Sequence, residues 1–226
     1  MSTVLQASLF EFLQDIKDNN NRPWFAENKP QYQAAVGQFK SFMATVVDRL
    51  SFHDKIEGNK AKVFRIYRDV RFSKNKTPYK TNFSAGLQRA GKLRRGGYYI
   101  SLSPNENIVG GGFFQPERAD LLRIRQDIAA DDEPLQQIIA AEQFQSFFGN
   151  LQGEQLKTAP RGFPKDHQAI DLLRHKSFIV TRSFQQAEVL SAHFLDQVVE
   201  TYLAMHPFFD YMTEVLTTDA NGELIV

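Results

Sequence analysis

Three strand-like segments follow one another in residues 81–114, which read TNFSAGLQRAGKLRRGGYYISLSPNENIVGGGFF. Residues 81–87, 97–103 and 107–114 carry aromatic and aliphatic side chains between clusters of turn-forming residues, a pattern typical of strands. The links between them are too short for a helical crossover, so they favour antiparallel pairing. This stretch therefore predicts an antiparallel sheet in the middle of the chain.

Helical patterns lie on both sides of these strands. Apolar residues recur at helical spacing in residues 8–19 and 28–50 before the strands, and in residues 134–148 and 189–202 after them. A further strand is predicted for residues 177–182. This order of helices, strands and helices predicts an α+β fold in a single domain that covers residues 1–226.

The composition excludes several classes of protein. The chain has 226 residues, 42% of them hydrophobic, and no cysteine. The apolar content argues against a disordered chain, and the lack of cysteine excludes a disulfide scaffold, a thiolate metal site and a cysteine nucleophile. No two histidines stand at metal-ligand spacing, so we expect no metal site. The sequence has no Gly-x-x-x-x-Gly-Lys-Ser/Thr phosphate loop, and we expect no cofactor. No segment is apolar over a membrane-spanning length and the start lacks the basic region of a signal peptide, so we expect a cytoplasmic protein without a membrane partner.

The formal net charge of +1 conceals a strongly basic segment. Residues 60–96 contain 12 basic residues and a single acidic one, Asp69, whereas the rest of the chain has 15 basic and 25 acidic residues. Such a concentration of positive charge predicts a surface that attracts anions.

Residues 63–72, which read VFRIYRDVRF, are predicted to form one more strand. Alternation places Phe64, Val70 and Phe72 on one face, and that face is apolar. Arg68 falls on the same face, where an unpaired guanidinium would be costly. Arg68 therefore needs a carboxylate partner or a position at the edge of the core, unless a bulge in the strand turns its side chain outward. The sequence does not decide among these three alternatives.

The opposite face of this strand combines arginines with one carboxylate. The planar fork of arginine suits bidentate contact with phosphate, and Asp69 could orient the neighbouring guanidinium groups. A basic turn follows in residues 73–80. The predicted anion-binding residues are Arg65, Arg68, Arg71, Lys74, Lys76, Tyr79 and Lys80. The simpler alternative is a ladder of surface ion pairs with solvated lysines.

Residues 65–80, which read RIYRDVRFSKNKTPYK, resemble a family signature. The family is catalogued as domain of unknown function 2461 (DUF2461), and its signature is an Arg-x-x-Arg-Asp-x-Arg-Phe core followed by a Lys-x-x-Tyr element. Ordered matches extend over nearly the whole chain, within residues 24–29, 97–112, 156–167 and 176–177. Gln168 departs from the pattern, since a proline is expected there. The resemblance implies a mainly bacterial family of about this length and assigns no activity.

A second polar cluster is predicted around His167. It comprises Lys157, Arg161 and Asp166 beside that histidine. A carboxylate beside a histidine can act as an acid–base pair. Adjacent side chains usually point apart, however, so the pair need not act together. The alternative is that His167 caps a turn before residues 169–173, and local hydrogen bonding favours this alternative.

Three functions are compatible with these features. The first is a domain that binds a phosphate-bearing ligand, either a nucleotide or a nucleic acid, through the basic strand and turn. The second is an enzyme that acts on an anionic substrate, with Asp69 or His167 as the acid–base group. The third is a protein-interaction domain whose basic surface docks an acidic partner, or the acidic part of a second copy in a homo-oligomer.

Overall fold

A computed structural model describes residues 4–219 and 221–225. A signal peptide is not predicted at the start of the chain, and residues 1–3 of that start lie outside the described residues. The helices before the sheet are α1 (Ala7–Asp18), α2 (Arg22–Glu27) and α3 (Lys29–Leu50). The strands are β1 (Lys62–Val63), β2 (Phe83–Gln88), β3 (Gly97–Leu102), β4 (Asn107–Phe113) and β5 (Phe178–Phe184). The remaining helices are α4 (Arg118–Ala130), α5 (Glu133–Ala140), α6 (Glu142–Phe148), α7 (Ile170–Leu173), α8 (Gln186–Val189), α9 (Phe194–Leu203) and α10 (His206–Thr217).

The five strands form one sheet in the order β1-β2-β3-β4-β5. β1 pairs antiparallel with β2, with Val63 opposite Ala85. Links of eight residues between β2 and β3, and of four between β3 and β4, are the short connections that antiparallel neighbours need. The predicted α+β fold, with a sheet in the middle of the chain and helices on both sides in sequence, is confirmed.

The glycine run in β4 permits a close approach of neighbouring strands. A Cβ atom on Gly110 would lie 2.0 Å from the carbonyl oxygen of Val180 in β5, and one on Gly111 would lie 2.2 Å from that of Gly97 in β3. Both distances are far below a van der Waals contact, so any larger residue would force the strands apart. A glycine run in a strand indicates a bulge or a close backbone approach, and these distances show a close approach.

The packing of the described residues divides them into two compact units. The first holds the described residues up to Leu87 together with Tyr99–Val109 and Ser183–Glu200, and the second holds Gln88–Tyr98, Gly110–Arg182 and the described residues from Thr201 onwards. The prediction of a single domain stays a prediction.

An aromatic core holds the first unit together. Phe12 of α1 and Phe39 of α3 both stack on Phe83 of β2, with ring centroids 6.0 and 5.9 Å away. All three side chains are buried, and the helical spacing of Leu9 and Leu13 adds two more buried residues from α1. Burial of these rings fixes the N-terminal helices against the sheet.

The second unit has its own aromatic core. α10 packs against α4 and α5. Its buried Phe209 contacts Tyr98 of β3 and Phe113 of β4, with ring centroids 5.2 and 5.9 Å apart.

Several helix boundaries differ from those predicted. Trp24 and Phe25 belong to α2, which begins after an Asn21 side chain that accepts the Trp24 N–H at 3.0 Å. The helix predicted over residues 134–148 divides into α5 and α6 at Ala141, whose backbone is not helical (φ −59°, ψ 138°). Most of the helix predicted over residues 189–202 is α9, which begins only at Phe194, because α8 ends at Val189. None of the helices in the described part of the chain has both the length and the apolar character needed to cross a bilayer.

Candidate functional site

Residues 64–80, here called the basic loop, leave the sheet after β1 and fold back on themselves. The N–H of Arg68 donates to the carbonyl of Pro78 at 2.9 Å, and that of Lys80 donates to the carbonyl of Ile66 at 2.7 Å. Tyr67 and Tyr79 are therefore paired as an isolated antiparallel bridge. The strand predicted over residues 63–72 is wrong beyond Val63, because polar side chains of the loop bind its own backbone.

Arg68 holds the two arms of the basic loop together. The half-buried guanidinium donates from Nη1 to the carbonyl oxygen of Thr77 at 2.9 Å and to the Thr77 hydroxyl, and from Nη2 to the Ser73 hydroxyl at 3.5 Å. The Thr77 hydroxyl in turn donates to the Asn75 side chain at 2.8 Å. The partners of Arg68 are neutral oxygens, so its positive charge is held in place and not cancelled.

Asp69 and Arg71 form a bidentate pair on the exposed side of the basic loop. Nε of Arg71 donates to Oδ1 of Asp69 at 3.0 Å, and Nη2 donates to Oδ2 at 2.7 Å. The side chain and the backbone N–H of Arg71 lower the pKa of Asp69, and the charge of Arg65 adds to this. A carboxylate with a lowered pKa accepts protons poorly, so this geometry does not favour Asp69 as a general base.

The lysines of the basic loop have no acidic partner within the part of the chain that the structure describes. Nζ of Lys76 donates to the carbonyl of Val70 at 2.9 Å, and Nζ of Lys80 lies 5.7 Å from the ring centroid of Phe64. Lys74 is exposed. Across the described part of the chain no carboxylate lies within ion-pair distance of Lys74, Lys76 or Lys80. These lysines therefore keep their positive charge uncompensated.

Tyr79 anchors the basic loop to the N-terminal helices. Its ring is 5% exposed and stacks on Phe25 of α2, with centroids 4.1 Å apart and planes 19° from parallel. Burial raises the pKa of Tyr79, and the neighbouring Tyr67 adds to this. The predicted role of Tyr79 in anion binding stays a prediction, whereas its contacts in the structure are those of an anchor.

Asn20 anchors the basic loop, and no pattern in the sequence indicates this role. This side chain, at the end of α1, accepts the N–H of Tyr79 at 3.0 Å and donates to its carbonyl at 3.0 Å. The two residues are 59 positions apart, so no local pattern could have paired them. Tyr32 and Tyr67 also contact the ring of Phe25, with centroids 5.2 and 5.8 Å away, and the sequence does not indicate these contacts.

Phe72 was assigned by alternation to the apolar face of a strand, and this is wrong. The side chain is 96% exposed near the tip of the basic loop. Its contact within the loop is with Arg71, whose Cζ lies 5.8 Å from the centroid of the ring. The loop therefore presents an aromatic ring to solvent beside its positive charges.

One comparison with known proteins is informative. The family model described as conserved hypothetical protein (DUF2461) matches residues 8–211. The chain belongs to this family. No curated protein matches the chain. The matched region of this DUF2461 protein contains the basic loop, the sheet and the second polar cluster.

The second polar cluster of the DUF2461 chain is built around a histidine that caps a turn. Nδ1 of His167 accepts the N–H of Ala169 at 3.1 Å, so Nε2 carries the proton and donates to the carbonyl of Ala129 at 3.3 Å. Both ring nitrogens are therefore engaged with backbone, which does not favour an acid–base role. The other three residues of the cluster are exposed: Lys157, Arg161 and Asp166.

A metal centre is not evident in this part of the DUF2461 protein. The described residues contain no group of three or more histidine, aspartate or glutamate side chains placed to hold a metal ion. The basic loop is therefore the candidate site whose chemistry the geometry defines best.

Proposed function

We propose that this DUF2461 protein binds a phosphate-bearing ligand through the basic loop. The observation that carries the proposal is the retained positive charge of this loop. Its 17 residues include six basic side chains and one carboxylate, Asp69, which is paired with Arg71. Anions concentrate where positive charge is left without counter-charge, because the local potential stays high.

The internal hydrogen bonds of the basic loop support the same proposal. Arg68 joins its two arms, and Lys76 donates to the carbonyl of Val70 near its tip. A loop that is already held in shape loses less conformational entropy when a ligand binds, so more of the interaction energy contributes to affinity.

Two cations are best placed to contact a ligand directly. Arg65 and Lys74 are exposed, and no hydrogen bond or ion pair among the described residues occupies them. Arg71 remains 76% exposed beside Asp69. Arginine and lysine that are open to solvent are the side chains that most often contact phosphate oxygens. The enzyme and the protein-interaction alternatives stay predictions, and the contacts of Asp69 and His167 do not favour the first.

The test uses inorganic tripolyphosphate as the probe, titrated into the full-length protein in a calorimeter at low ionic strength. We expect binding that weakens steeply as salt is added, because charged contacts are screened. The double variant Arg65→Gln, Lys74→Gln should bind roughly tenfold more weakly or worse.

The matched control removes the same charge elsewhere. Lys40→Gln, Lys165→Gln changes two exposed lysines outside the basic loop. At about 0.1 M salt, where the Debye length is about 10 Å, its affinity for tripolyphosphate should stay within about twofold of the wild type, because neither lysine belongs to the basic loop and charges outside it are screened. Absence of binding by the wild type, or equal losses in the two double variants, would overturn the proposal.

A further inference from the structure

Phe72 is an aromatic side chain that does not contribute to the core. It is 96% exposed, and its ring contact among the described residues is with the guanidinium group of its neighbour Arg71, 5.8 Å from the centroid. Exposed single apolar residues are common on proteins. This one differs because it stands on a loop whose backbone is fixed by Arg68 and Lys76 and whose charge is strongly positive.

The exposed apolar surface of the basic loop is aromatic. Its large exposed hydrophobic residues are Phe72 and Tyr67, the latter 50% exposed, and neither is aliphatic. Aromatic rings have flat faces on which another ring can stack, whereas aliphatic side chains offer only apolar contact. A flat face beside positive charges matches a ligand that carries a planar group and phosphates together.

We infer that Phe72 stacks on an unpaired nucleobase whose phosphate is held by the cations of the basic loop. This inference rests on the proposed function, and it adds the base to the phosphate as a recognised group. The shared chemistry is a base joined to phosphate, which either a free nucleotide or a single-stranded nucleic acid supplies. A duplex does not fit, because the faces of its bases are covered by their neighbours.

Charge complementarity and ring geometry favour this ligand over an anionic membrane. A membrane would also attract the positive charge, but stable insertion needs a larger apolar surface than the rings of a short loop provide. Stacking on a base needs only one accessible ring with cations near it, which is the arrangement around Phe72.

The experiment measures fluorescence anisotropy of a labelled oligothymidylate of about eight nucleotides, which is within the site size of small single-strand binders. Phe72→Ala should weaken binding roughly 5- to 150-fold, the range found when one stacking side chain is removed. Phe72→Trp should stay within about threefold of the wild type, because tryptophan keeps a stacking face. Phe72→Leu should lose about as much as Phe72→Ala, since leucine keeps the apolar character and loses the face.

The control variant is Phe52→Ala, which removes another exposed phenylalanine, 87% exposed and outside the basic loop. It should bind the oligothymidylate like the wild type. An abasic oligonucleotide of the same length carries the phosphates without bases, so Phe72→Ala should not change its affinity. Competition between thymidine triphosphate and the labelled oligothymidylate distinguishes the two sources of the base. Efficient competition identifies a free nucleotide as the ligand, and weak competition identifies a single strand.

Three results would overturn the inference and leave the proposed function standing, provided that tripolyphosphate still binds. The first is that wild type and Phe72→Ala bind both the oligothymidylate and thymidine triphosphate with equal affinity. The second is that Phe72→Leu binds with wild-type affinity. The third is that binding to phosphatidylglycerol vesicles depends on Phe72 whereas binding to the oligothymidylate does not. If tripolyphosphate fails to bind, the proposed function itself fails and the inference fails with it. Because Phe72 packs against nothing in the core, all of these variants are expected to fold.

Discussion

The basic loop and the link between β2 and β3, residues 89–96, are both rich in arginine and lysine, but they differ in whether carboxylates neutralise these charges. In the β2–β3 link, Arg89 is 6% exposed, lies 3.6 Å from Asp210 and has its guanidinium 5.1 Å from the ring centroid of Phe209. Arg95 of the same link is paired with Asp120. In the basic loop, the partners of Arg68 and Lys76 are neutral oxygens.

This difference shows that the number of basic residues in a segment does not determine its remaining charge. The carboxylates that neutralise the β2–β3 link come from α4 and α10, far away in sequence. The basic loop supplies its own oxygen partners, and these fix the cations without cancelling them.

The largest effect is expected at Arg89. Arg89→Ala removes a buried guanidinium that also donates to the carbonyl of Arg95 at 3.2 Å, so the free energy of unfolding should fall by about 2–3 kcal/mol. Asp210 is largely exposed, so the loss should be smaller than that for breaking a fully buried ion pair. Urea denaturation measures the change.

Lys92→Ala is the control for Arg89 because Lys92 is exposed in the same link. Its free energy of unfolding should stay within about 0.5 kcal/mol of the wild type. Equal effects of the two substitutions would show that the β2–β3 link is not held by the buried Arg89 side chain and its partners, and the contrast with the basic loop would disappear.

A smaller effect is expected at Asn20, which anchors the basic loop through neutral groups. Asn20→Ala removes both hydrogen bonds to the backbone of Tyr79 and should lower the free energy of unfolding by about 1–2 kcal/mol. The amides of Arg68 and Lys80, which pair across the loop, should exchange hydrogen faster.

Salt dependence sharpens this second prediction. The loss caused by Asn20→Ala should not change with added salt, whereas the loss caused by Arg89→Ala should shrink, because only the second involves charged partners. Asn19→Ala is the control, since it removes only one exposed bond, to the carbonyl of Asp15, and should cost about 0.5 kcal/mol. A similar salt dependence for Asn20→Ala and Arg89→Ala would contradict the comparison.

The smallest effect concerns Asp69. Because Arg71 lowers the pKa of Asp69 in the folded protein, this carboxylate favours folding at pH values above its unfolded pKa of about 3.9, and its contribution is lost as the pH falls through the folded value. Arg71→Gln should raise the pKa of Asp69, as measured by NMR titration of its carboxyl carbon. Arg65→Gln should raise it less, because Arg65 acts only through its charge. No change in Arg71→Gln would show that the pair does not persist in solution.

The central part of the fold could be predicted because its signals are local. The short links in residues 81–114 permit only neighbouring antiparallel strands, and the glycines of β4 indicate strands in close contact. The arrangement of the basic loop could not be predicted in the same way. Alternation assigns Arg68 and Phe72 to one face of a strand, but it takes no account of a guanidinium that binds a carbonyl nine residues away.

The candidate site shows the same limit. The sequence identified the basic residues and the carboxylate of the loop, because charge is visible in any sequence. The sequence did not reveal which cations are hydrogen-bonded to neutral oxygens, nor the contact between Asn20 and Tyr79. Both depend on contacts between residues that are far apart in the sequence. The exposure of Phe72 follows from that geometry and is equally invisible in the sequence.

The contact between Asn20 and Tyr79 also protects an edge of the structure. Tyr67 and Tyr79 form a pair without mutual hydrogen bonds, so the N–H and carbonyl of Tyr79 point away from its partner, as those of an edge strand do. The carboxamide of Asn20 occupies both groups, in the place that a peptide of an incoming strand would take. With β1 only two residues long, this side of the sheet offers little backbone for strand addition, which is how natural sheets avoid edge-to-edge aggregation.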